Sequence, residues 1–378
     1  MPARADRLVG VDVARCLALL GMVATHVLDE RDADGALTTA QWLAGGRASA
    51  LFAVLAGVSM TLLLRRGHEG SLAVRALLIA TLGLALGELD TGIAVILTYY
   101  GVLFLLAIPF VRLPVRVLLP LAAAWVVAAP ALSHVVRPDL AERGYASPSF
   151  ESLTEPGHLA GELLFTGYYP AVPWLAYVLL GLALGKADLR SRRVQARLVV
   201  AGAAAAVAAT LVSHWLTTRD AVAERLLTSA PPGQDIDGLL DEISRGMFGQ
   251  TPVDGSWAWL LVVAPHSSTP LDLVQTMGSA AFVLGLCLAV AAVAGTFGRR
   301  VLAVFFGAGT MTLTLYSLHV VMRTERVWPA EQPDSFRTHV LVLLAIGAVF
   351  AALGRRGPLE WAVAQVSGLA TRWPGRCP

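Results

Sequence analysis

The segment at residues 11–30, VDVARCLALLGMVATHVLDE, carries ionisable side chains within an apolar stretch. At about 100° per residue of an α-helix, Arg15 lies about 60° from Asp12, and His26 lies about 40° from Asp12 on the same side. An ionisable group at membrane depth costs about 2.5–3.5 kcal/mol on insertion scales. We therefore expect these three side chains to face the protein interior or a watery cavity rather than lipid.

The two ends of this polar stripe indicate different chemistry. Asp12 and Arg15 are three residues apart, so they form either a simple local ion pair or a cation and its partner at an anion site. His26 lies roughly 16 Å further along the helix, nearly one bilayer leaflet away. It is either an interfacial residue with a hydrogen-bond partner or a proton acceptor. Because the Asp12–Arg15 pair and His26 lie on one face of the helix, we interpret them as the two ends of a channel.

The composition of the chain is that of a membrane protein, whose helices must position these residues. The 378 residues are 56% hydrophobic and 15% charged, and their mean hydropathy is +0.64, which excludes an ordinary soluble protein. Apolar segments predict an all-α polytopic membrane protein of about ten transmembrane helices in a single domain, residues 1–378. The lipid bilayer is its expected partner, and no nucleic acid is. The predicted helices are residues 11–28, 48–64, 72–88, 92–111, 115–133, 168–185, 196–216, 273–296, 301–322 and 338–354.

Charge alternates between successive connections. Basic residues lie at every second connection and at both ends of the chain, and acidic residues dominate the others. Because basic connections stay in the cytoplasm, both termini are predicted to be cytoplasmic in a bacterial inner membrane. Arg15 then lies near the cytoplasmic side and His26 near the outer side. The basic set includes Arg7, Arg75, Arg116, Arg190, Arg300 and Arg355.

Two long outer loops, at residues 134–167 and 217–272, indicate a lid or an acceptor site. The second contains a helix-like piece near residues 236–247 and an aromatic stretch at residues 257–261, whose tryptophans we interpret as interfacial anchors. The segment at residues 357–373 is too short to span and predicts an amphipathic helix on the inner surface.

Several motifs resemble known enzymes. DVARCLA from Asp12, His26 fourteen residues later, and LFAVLAG from Leu51 resemble the transmembrane acyltransferase superfamily, whose helices read approximately D-G-L-R-x-L-A and F-F-x-L-S-G. On their own, Ala56 and Gly57 of the second motif indicate only close helix packing. Further segments, in order, are similar to the bacterial branch related to heparan-alpha-glucosaminide N-acetyltransferase. They are LTYYGVLFLLAIP (97–109), GYYPAVPWLAYVLLGLALGK (167–186), PHSSTPLDLVQTMGSA (265–280), GTMTLTLYSLHVV (309–321) and GPLEWAV (357–363).

This resemblance implies a membrane-embedded acyltransferase. Its donor is a cytoplasmic acyl-coenzyme A, with acetyl as the expected acyl group, and its acceptor is a hydroxyl or amine of a sugar or glycan outside. Asp12, Arg15 and Arg75 are the expected donor-binding residues. The sequence departs from the superfamily in two places, because Ala56 replaces a frequent Ser and Arg75 stands alone where two arginines often open the third helix.

His26 is the expected catalytic base or acylated nucleophile. His319, in LYSLH, lies at the same predicted level and is a second catalytic candidate; its alternative is a packed interfacial histidine. The other polar groups that we expect at an acceptor site are Glu88, Asp90, Tyr99, Tyr100 and Tyr316. The histidines that we interpret as surface residues at outer edges are His134, His158, His214, His266 and His339.

Other classes of protein stay open from the sequence. A small-molecule transporter or lipid flippase also needs polar residues at membrane depth, although repeated halves with broken helices are not visible. An inert membrane scaffold is a third class, and a homodimer is one option for assembly. Cys16, Cys287 and Cys377 provide neither a disulfide framework nor metal-ligand spacing, so no metal is expected.

Overall fold

The computed structural model describes residues 7–64, 71–89, 91–144, 146–249, 251–253, 256–324 and 335–370. Within these ranges the chain is helical, and its only strand-like pairing is an isolated bridge between Arg31 and Leu37. The α-helices are α1 Val9–Val27, α2 Thr39–Ala44, α3 Arg47–Leu64, α4 Leu72–Gly87, α5 Leu97–Ala107, α6 Val115–Val136, α7 Pro156–Gly161, α8 Ala171–Lys186, α9 Arg192–Thr217, α10 Asp220–Leu227, α11 Ile236–Ile243, α12 Pro270–Val293, α13 Gly295–Phe305, α14 Thr312–Met322, α15 Ser335–Leu353 and α16 Pro358–Ala370.

Six of the described helices are long and apolar enough to cross a membrane, which confirms a polytopic helical membrane protein. They are α1, α3 with α2 as its extension, α6, α9, α12 and α15. Residues 156–166 and α8 form a helix pair bent by 52°, which is a seventh span if the pair crosses as one unit and a re-entrant loop if it does not. Helices α4, α5 and α14 are apolar but shorter. The expected ten crossings are reached only if these three also cross, and that count stays a prediction.

The ninth predicted helix, residues 301–322, is broken in the structure. Helix α13 ends at Phe305, a 3-10 turn covers Gly307–Thr310, and α14 begins at Thr312. The two glycines of the turn lie where the chain has no room for a side chain: Gly307 packs on the backbone of α15 and Gly309 on that of α1. The prediction of one continuous helix was wrong because close backbone approach, rather than helix propensity, decides this segment.

Helix α8 forms the centre of the molecule. Nearly all of its side chains are buried, including Trp174 and Tyr177, and it packs against α3, α5 and α6. Gly57 of α3 and Gly181 of α8 lie in close backbone contact, where a methyl group on either would meet a carbonyl of the opposite helix. Small residues therefore bring α3 against α8, as the packing interpretation of the Ala56–Gly57 pair predicts.

A second, smaller hydrophobic core lies near the C-terminal end of α1. It joins α10, α11 and the 3-10 turn Trp257–Leu261 through Leu226, Leu239 and Trp259. We call residues 220–262 the cap. Trp259 is only 2% exposed, so it is not the interfacial anchor that the sequence suggested, whereas the neighbouring Trp257 is exposed. The helix expected near residues 236–247 is confirmed as α11.

Candidate active site

A cavity of about 720 Å³ opens at the N-terminal end of α1, and we call it the Arg15 cavity. Its walls are mostly apolar and come from α1, α3, α4, α5, α14 and α16. Among the described residues its lining includes five guanidinium groups and two carboxylates. These charged residues are Arg7, Asp12, Arg15, Arg75, Arg190, Arg356 and Glu360. The volume lies within the range of small-molecule and cofactor sites.

Asp12 organises the charges on the α1 side of this cavity. Its carboxylate accepts from Arg7 Nε at 2.5 Å and from Arg15 Nη1 at 3.3 Å. Arg15 Nη2 also donates to Ser59 Oγ of α3 at 2.5 Å. The local ion pair expected from the i, i+3 spacing is therefore present. It also holds one guanidinium in the cavity wall at a fixed orientation.

The floor of the Arg15 cavity is built by α16. The Glu360 carboxylate accepts from the backbone N–H of Leu313 at 2.7 Å, from the N–H of Thr314 at 3.2 Å and from Thr314 Oγ1 at 2.6 Å. An acidic side chain at a helix N-terminus satisfies donors that have no partner within the helix. The C-terminal helix is thus fixed to α14, and Arg356 and Val363 line the cavity beside it. The sequence alone indicated only an amphipathic surface helix.

A second, much smaller cavity of about 40 Å³ lies near the C-terminal end of α1, and we call it the His26 cavity. Its polar lining combines imidazoles, tyrosines, an amide and hydroxyls, and its one charged group among the described residues is the Glu30 carboxylate. The polar and aromatic lining residues are Thr25, His26, Glu30, Gln41, Ser49, Tyr168, Tyr169 and His266.

Three histidines from three helices lie in series beside this cavity. His26 Nδ1 of α1 is 3.0 Å from His319 Nε2 of α14. His319 Nδ1 is in turn 2.7 Å from His339 Nδ1 of α15. His319 is 0% exposed and His339 is 1% exposed. The structure thus brings together His26 and His319, both expected at the site, and adds a third imidazole that sequence reasoning placed on the surface.

His266 closes the His26 cavity from the connection before α12. Its backbone has a φ of 59° and that of Ser268 has a φ of 56°, a left-handed conformation that costs about 1–3 kcal/mol in a residue other than glycine. Its ring lies between Tyr168, at 4.7 Å between centroids, and Trp174, stacked at 6.0 Å. Burial lowers the pKa of His266 to about 3, so this imidazole is neutral at physiological pH.

Tyr100 joins the linings of the two cavities. The ring of Tyr100 lines the Arg15 cavity, while its hydroxyl donates at 3.0 Å to the carbonyl of Ser49, which lines the His26 cavity. Phe52 lines the Arg15 cavity one helical turn from Ser49. Along α1, the intervening distance between Arg15 and His26 is roughly 16 Å.

The other expected site residues lie in different places. Arg75 and Tyr316 line the Arg15 cavity. Tyr99 donates to Glu162 Oε1 at 2.8 Å, and Glu88 Oε1 accepts from the backbone N–H of Phe150 at 2.8 Å; neither Tyr99 nor Glu88 lines either cavity. Asp90 lies outside the described residues.

Several histidines interpreted as surface residues are not on the surface. His134 is 4% exposed and His339 is 1% exposed, and His266 is packed among aromatic rings. The interpretation failed because a position near the end of a predicted helix does not show which face of the helix packs inward. For His339 a signal was available, since its predicted helix begins on the same side of the membrane as the predicted helix of His319 ends.

The fold and the site together define a polytopic helical membrane protein with one cationic cavity and one imidazole-lined cavity on opposite halves of α1. Residues 7–218, more than half of the chain, match the family model of the heparan-alpha-glucosaminide N-acetyltransferase catalytic domain. The chain belongs to this family of acetyltransferases, which confirms the resemblance noted in its motifs. No protein of curated function matches the chain. Asp12, Arg15, His26 and Arg75 lie inside the matched range, and α12 to α16 lie outside it.

Proposed function

We propose that this protein transfers an acyl group, most simply acetyl, from acyl-coenzyme A in the Arg15 cavity to an amine or hydroxyl of a sugar acceptor in the His26 cavity. The main support for this proposal is that the two cavities lie along one helix, with a cationic lining at one end and an imidazole at the other. In this proposal the Arg15 cavity faces the cytoplasm of a bacterial inner membrane, both chain termini are cytoplasmic, and the cap lies outside.

The lining of the Arg15 cavity supports a coenzyme A donor. Guanidinium groups bind phosphate oxygens bidentately, and five of them line the described wall. Arg15 is already oriented by Asp12 and Ser59, so little conformational freedom is lost when an anion binds. The apolar walls toward Phe52 and Tyr100 suit an extended, uncharged thioester arm. This arm would pass Tyr100 and deliver its carbonyl to His26.

His26 is the proposed base. His319 occupies its Nδ1, so Nε2 is the ring nitrogen that a substrate can use. As the acceptor nitrogen or oxygen attacks the thioester carbonyl, His26 Nε2 takes the acceptor's proton, the C–S bond breaks, and the coenzyme A thiolate leaves. The same proton then protonates the thiolate, so no net proton remains on the protein. Glu30, Gln41 and Tyr168 would hold the acceptor through hydrogen bonds and ring contact.

The test uses purified protein in nanodiscs with labelled acetyl-coenzyme A and with glucosamine and glucose as probe acceptors. We expect binding of acetyl-coenzyme A, release of free thiol and label on at least one sugar. A protein that neither binds acetyl-coenzyme A nor releases thiol would refute the donor assignment. Label retained on His26 under rapid quench without acceptor would replace direct transfer by an acyl-histidine intermediate.

The orientation has its own test, with one introduced cysteine at each end. Asp237 is exposed on α11 of the cap, and Arg193 is exposed at the start of α9 on the opposite side. In intact cells we expect an impermeant thiol reagent to label Asp237→Cys and not Arg193→Cys, with both labelled after permeabilisation. The reverse pattern would show that the cap is cytoplasmic.

The two opposed cavities also favour a second candidate, a transporter that exposes its site alternately to each side. It differs from the acyltransferase in its product. Passage of unmodified acetyl-coenzyme A or sugar into proteoliposomes, without thiol release, would support transport. Thiol release that depends on the acceptor would exclude this candidate as the main activity.

A further inference from the structure

The three histidines beside the His26 cavity form an ordered series rather than a cluster. His319 uses its two ring nitrogens for two different neighbours, Nε2 for His26 at 3.0 Å and Nδ1 for His339 at 2.7 Å. These nitrogens lie on different sides of the ring, so the three imidazoles do not converge on one point as metal ligands do. Both separations are those of hydrogen bonds.

The series couples the protonation of its two ends. A neutral imidazole has one N–H, which donates, and one bare nitrogen, which accepts. Each hydrogen bond between two imidazoles therefore joins the N–H of one ring to the bare nitrogen of the other. If His339 Nδ1 accepts, His319 Nδ1 must donate, His319 Nε2 must accept and His26 Nδ1 must donate. His26 Nε2 is then bare and can accept a proton. The opposite order places a proton on His26 Nε2 and removes the base.

We propose that His339 is a positioning residue that acts through His319 to keep His26 Nε2 unprotonated at rest and to share its proton during turnover. This inference rests on the proposed function, because it concerns the same transfer reaction. His339 never touches the substrate. Its helix, α15, lies outside the range that matches the family model.

The proton count closes over one cycle. His26 Nε2 takes the acceptor's proton, His26 Nδ1–H passes to His319 Nε2, and His319 Nδ1–H passes to His339 Nδ1. The charge thus leaves the reacting end and rests on His339 while the C–S bond breaks. The three shifts then reverse, the proton moves from His26 Nε2 to the thiolate sulfur, and the series returns to its starting order without rotation of any buried ring.

The burial of the partners makes this arrangement stable. His319 and His339 are almost fully inaccessible, so water does not compete for their nitrogens, and an unmade hydrogen bond there would be costly. Each imidazole belongs to a different helix, α1, α14 or α15, so the packing of three helices fixes the two distances. A side chain that only filled space at residue 339 would preserve the packing and lose the order of the protons.

The experiment compares three variants with the wild type. His339→Phe keeps a ring of similar size without a nitrogen, and His339→Gln keeps an acceptor for His319 Nδ1–H. His134→Phe is the control, because His134 is 4% exposed and lies outside the series. We expect kcat to fall about 10- to 100-fold in His339→Phe, the scale of losing a partner that orients a functional histidine, less in His339→Gln, and little in the control.

The KM for the acceptor and the affinity for acetyl-coenzyme A should stay unchanged in both His339 variants. If His339 merely filled space, His339→Phe would have a higher kcat than His339→Gln. That result would overturn the proposal. Melting temperatures separate loss of folding from loss of turnover. Should the His339 variants not fold, the wild-type rate in H₂O–D₂O mixtures decides. A curved dependence on deuterium fraction supports several moving protons, and a linear one overturns the proposal.

A second readout does not require activity. In ¹⁵N-histidine spectra, we expect His26 of the wild type to be a single neutral tautomer with a bare Nε2, and a mixture of tautomers in His339→Phe. Unchanged His26 tautomers in that variant would refute the coupling. A wild type with ordered tautomers and no acyl transfer would instead refute the proposed function and leave the coupling as a structural property.

Discussion

The two halves of α1 face cavities of opposite character. The Arg15 cavity has about 720 Å³ of space and five arginines in its described lining, whereas the His26 cavity has about 40 Å³ and imidazoles packed against tyrosines. A preformed cationic cavity can accept an anionic donor directly, but the His26 cavity is too small for a sugar. In the proposed function, acceptor binding therefore requires movement of the side chains that line this cavity. Charged side chains distinguish the Arg15 cavity, whereas packed aromatic rings distinguish the His26 cavity.

Polar contacts join the cap to the connection between α1 and α3 and to the segment that carries His266. Arg31 pairs with Asp241 of α11 at 3.0 Å, and Gln41 Nε2 donates to the carbonyl of Arg245 at 2.5 Å. The backbone N–H of Met247 donates to the carbonyl of Pro265, next to His266. Further hydrogen bonds join the cap to α9 and the start of α12, from Ser213 Oγ to the carbonyl of Leu261 and from Thr269 Oγ1 to the carbonyl of Val262.

The largest expected effect tests the catalytic difference between the two ends. In His26→Gln, the acyl-transfer rate should fall about 100-fold or more, the usual scale for losing a general base, because an amide accepts no proton at neutral pH. The affinity for acetyl-coenzyme A, measured by calorimetry, should be unchanged. His214→Gln, exposed on α9, serves as the control. A His26→Gln enzyme with near wild-type turnover would make His26 structural and His319 the next candidate.

The second prediction tests the charge of the larger cavity. Removing one guanidinium in Arg75→Gln or Arg356→Gln should weaken acetyl-coenzyme A binding about tenfold, because a hydrogen bond to a charged group contributes about 1.5–3 kcal/mol. The rate at saturating donor should change little. Arg197→Gln removes an exposed arginine of α9 as a control. Equal affinities in all three variants would mean that the cavity binds something other than a phosphate-bearing donor.

The third prediction concerns Glu30, the one charged group in the described lining of the smaller cavity. Glu30→Gln should raise the KM for the acceptor about three- to tenfold and leave donor affinity unchanged, because a partly exposed carboxylate contributes modestly to binding. Asp34→Asn, which removes an exposed carboxylate of the same connection, should have no effect. A changed donor affinity in Glu30→Gln would contradict the separation of the two cavities.

The smallest effect is on stability at low pH. His266 stays neutral in the folded protein down to about pH 3, whereas in the unfolded chain it binds a proton near pH 6.5. Its contribution is complete above pH 6.5 and is lost as the pH falls toward 3, by at most about 1.4 kcal/mol per unit. His266→Asn, which tolerates the left-handed backbone, should show a shallower fall in melting temperature between pH 6.5 and 4.5. An unchanged slope would contradict this role.

The sequence predicted the helical membrane fold and the α1 end of the site for a clear reason. Asp12, Arg15 and His26 belong to one helix, so helical geometry alone places them on one face. Arg75 was reached through family resemblance and does line the same cavity. The helix in the loop at residues 217–272 was visible as a helix-like piece after PPG.

The rest depends on contacts between distant segments. His339 and Glu360 act through residues 20 and 46 or 47 positions away, His319 for one and Thr314 and Leu313 for the other. No local pattern encodes such pairs. The break between α13 and α14 was missed for the same reason, because Gly307 and Gly309 are explained by the neighbouring backbones of α15 and α1. Glu88 was expected at the site only from its predicted depth in the membrane. That depth does not specify the direction in which its side chain points.

The attachment of α16 to α14 also determines when, during synthesis of the chain, the Arg15 cavity can be completed. The floor of the Arg15 cavity consists of Arg356, Glu360 and Val363, which are among the last residues of the described chain to be synthesised. Until they emerge and Glu360 reaches the first turn of α14, the cavity has no floor and its guanidinium groups are incompletely assembled. In the proposed function, a partly translated chain that lacks Arg356 and Glu360 therefore has an incomplete donor cavity.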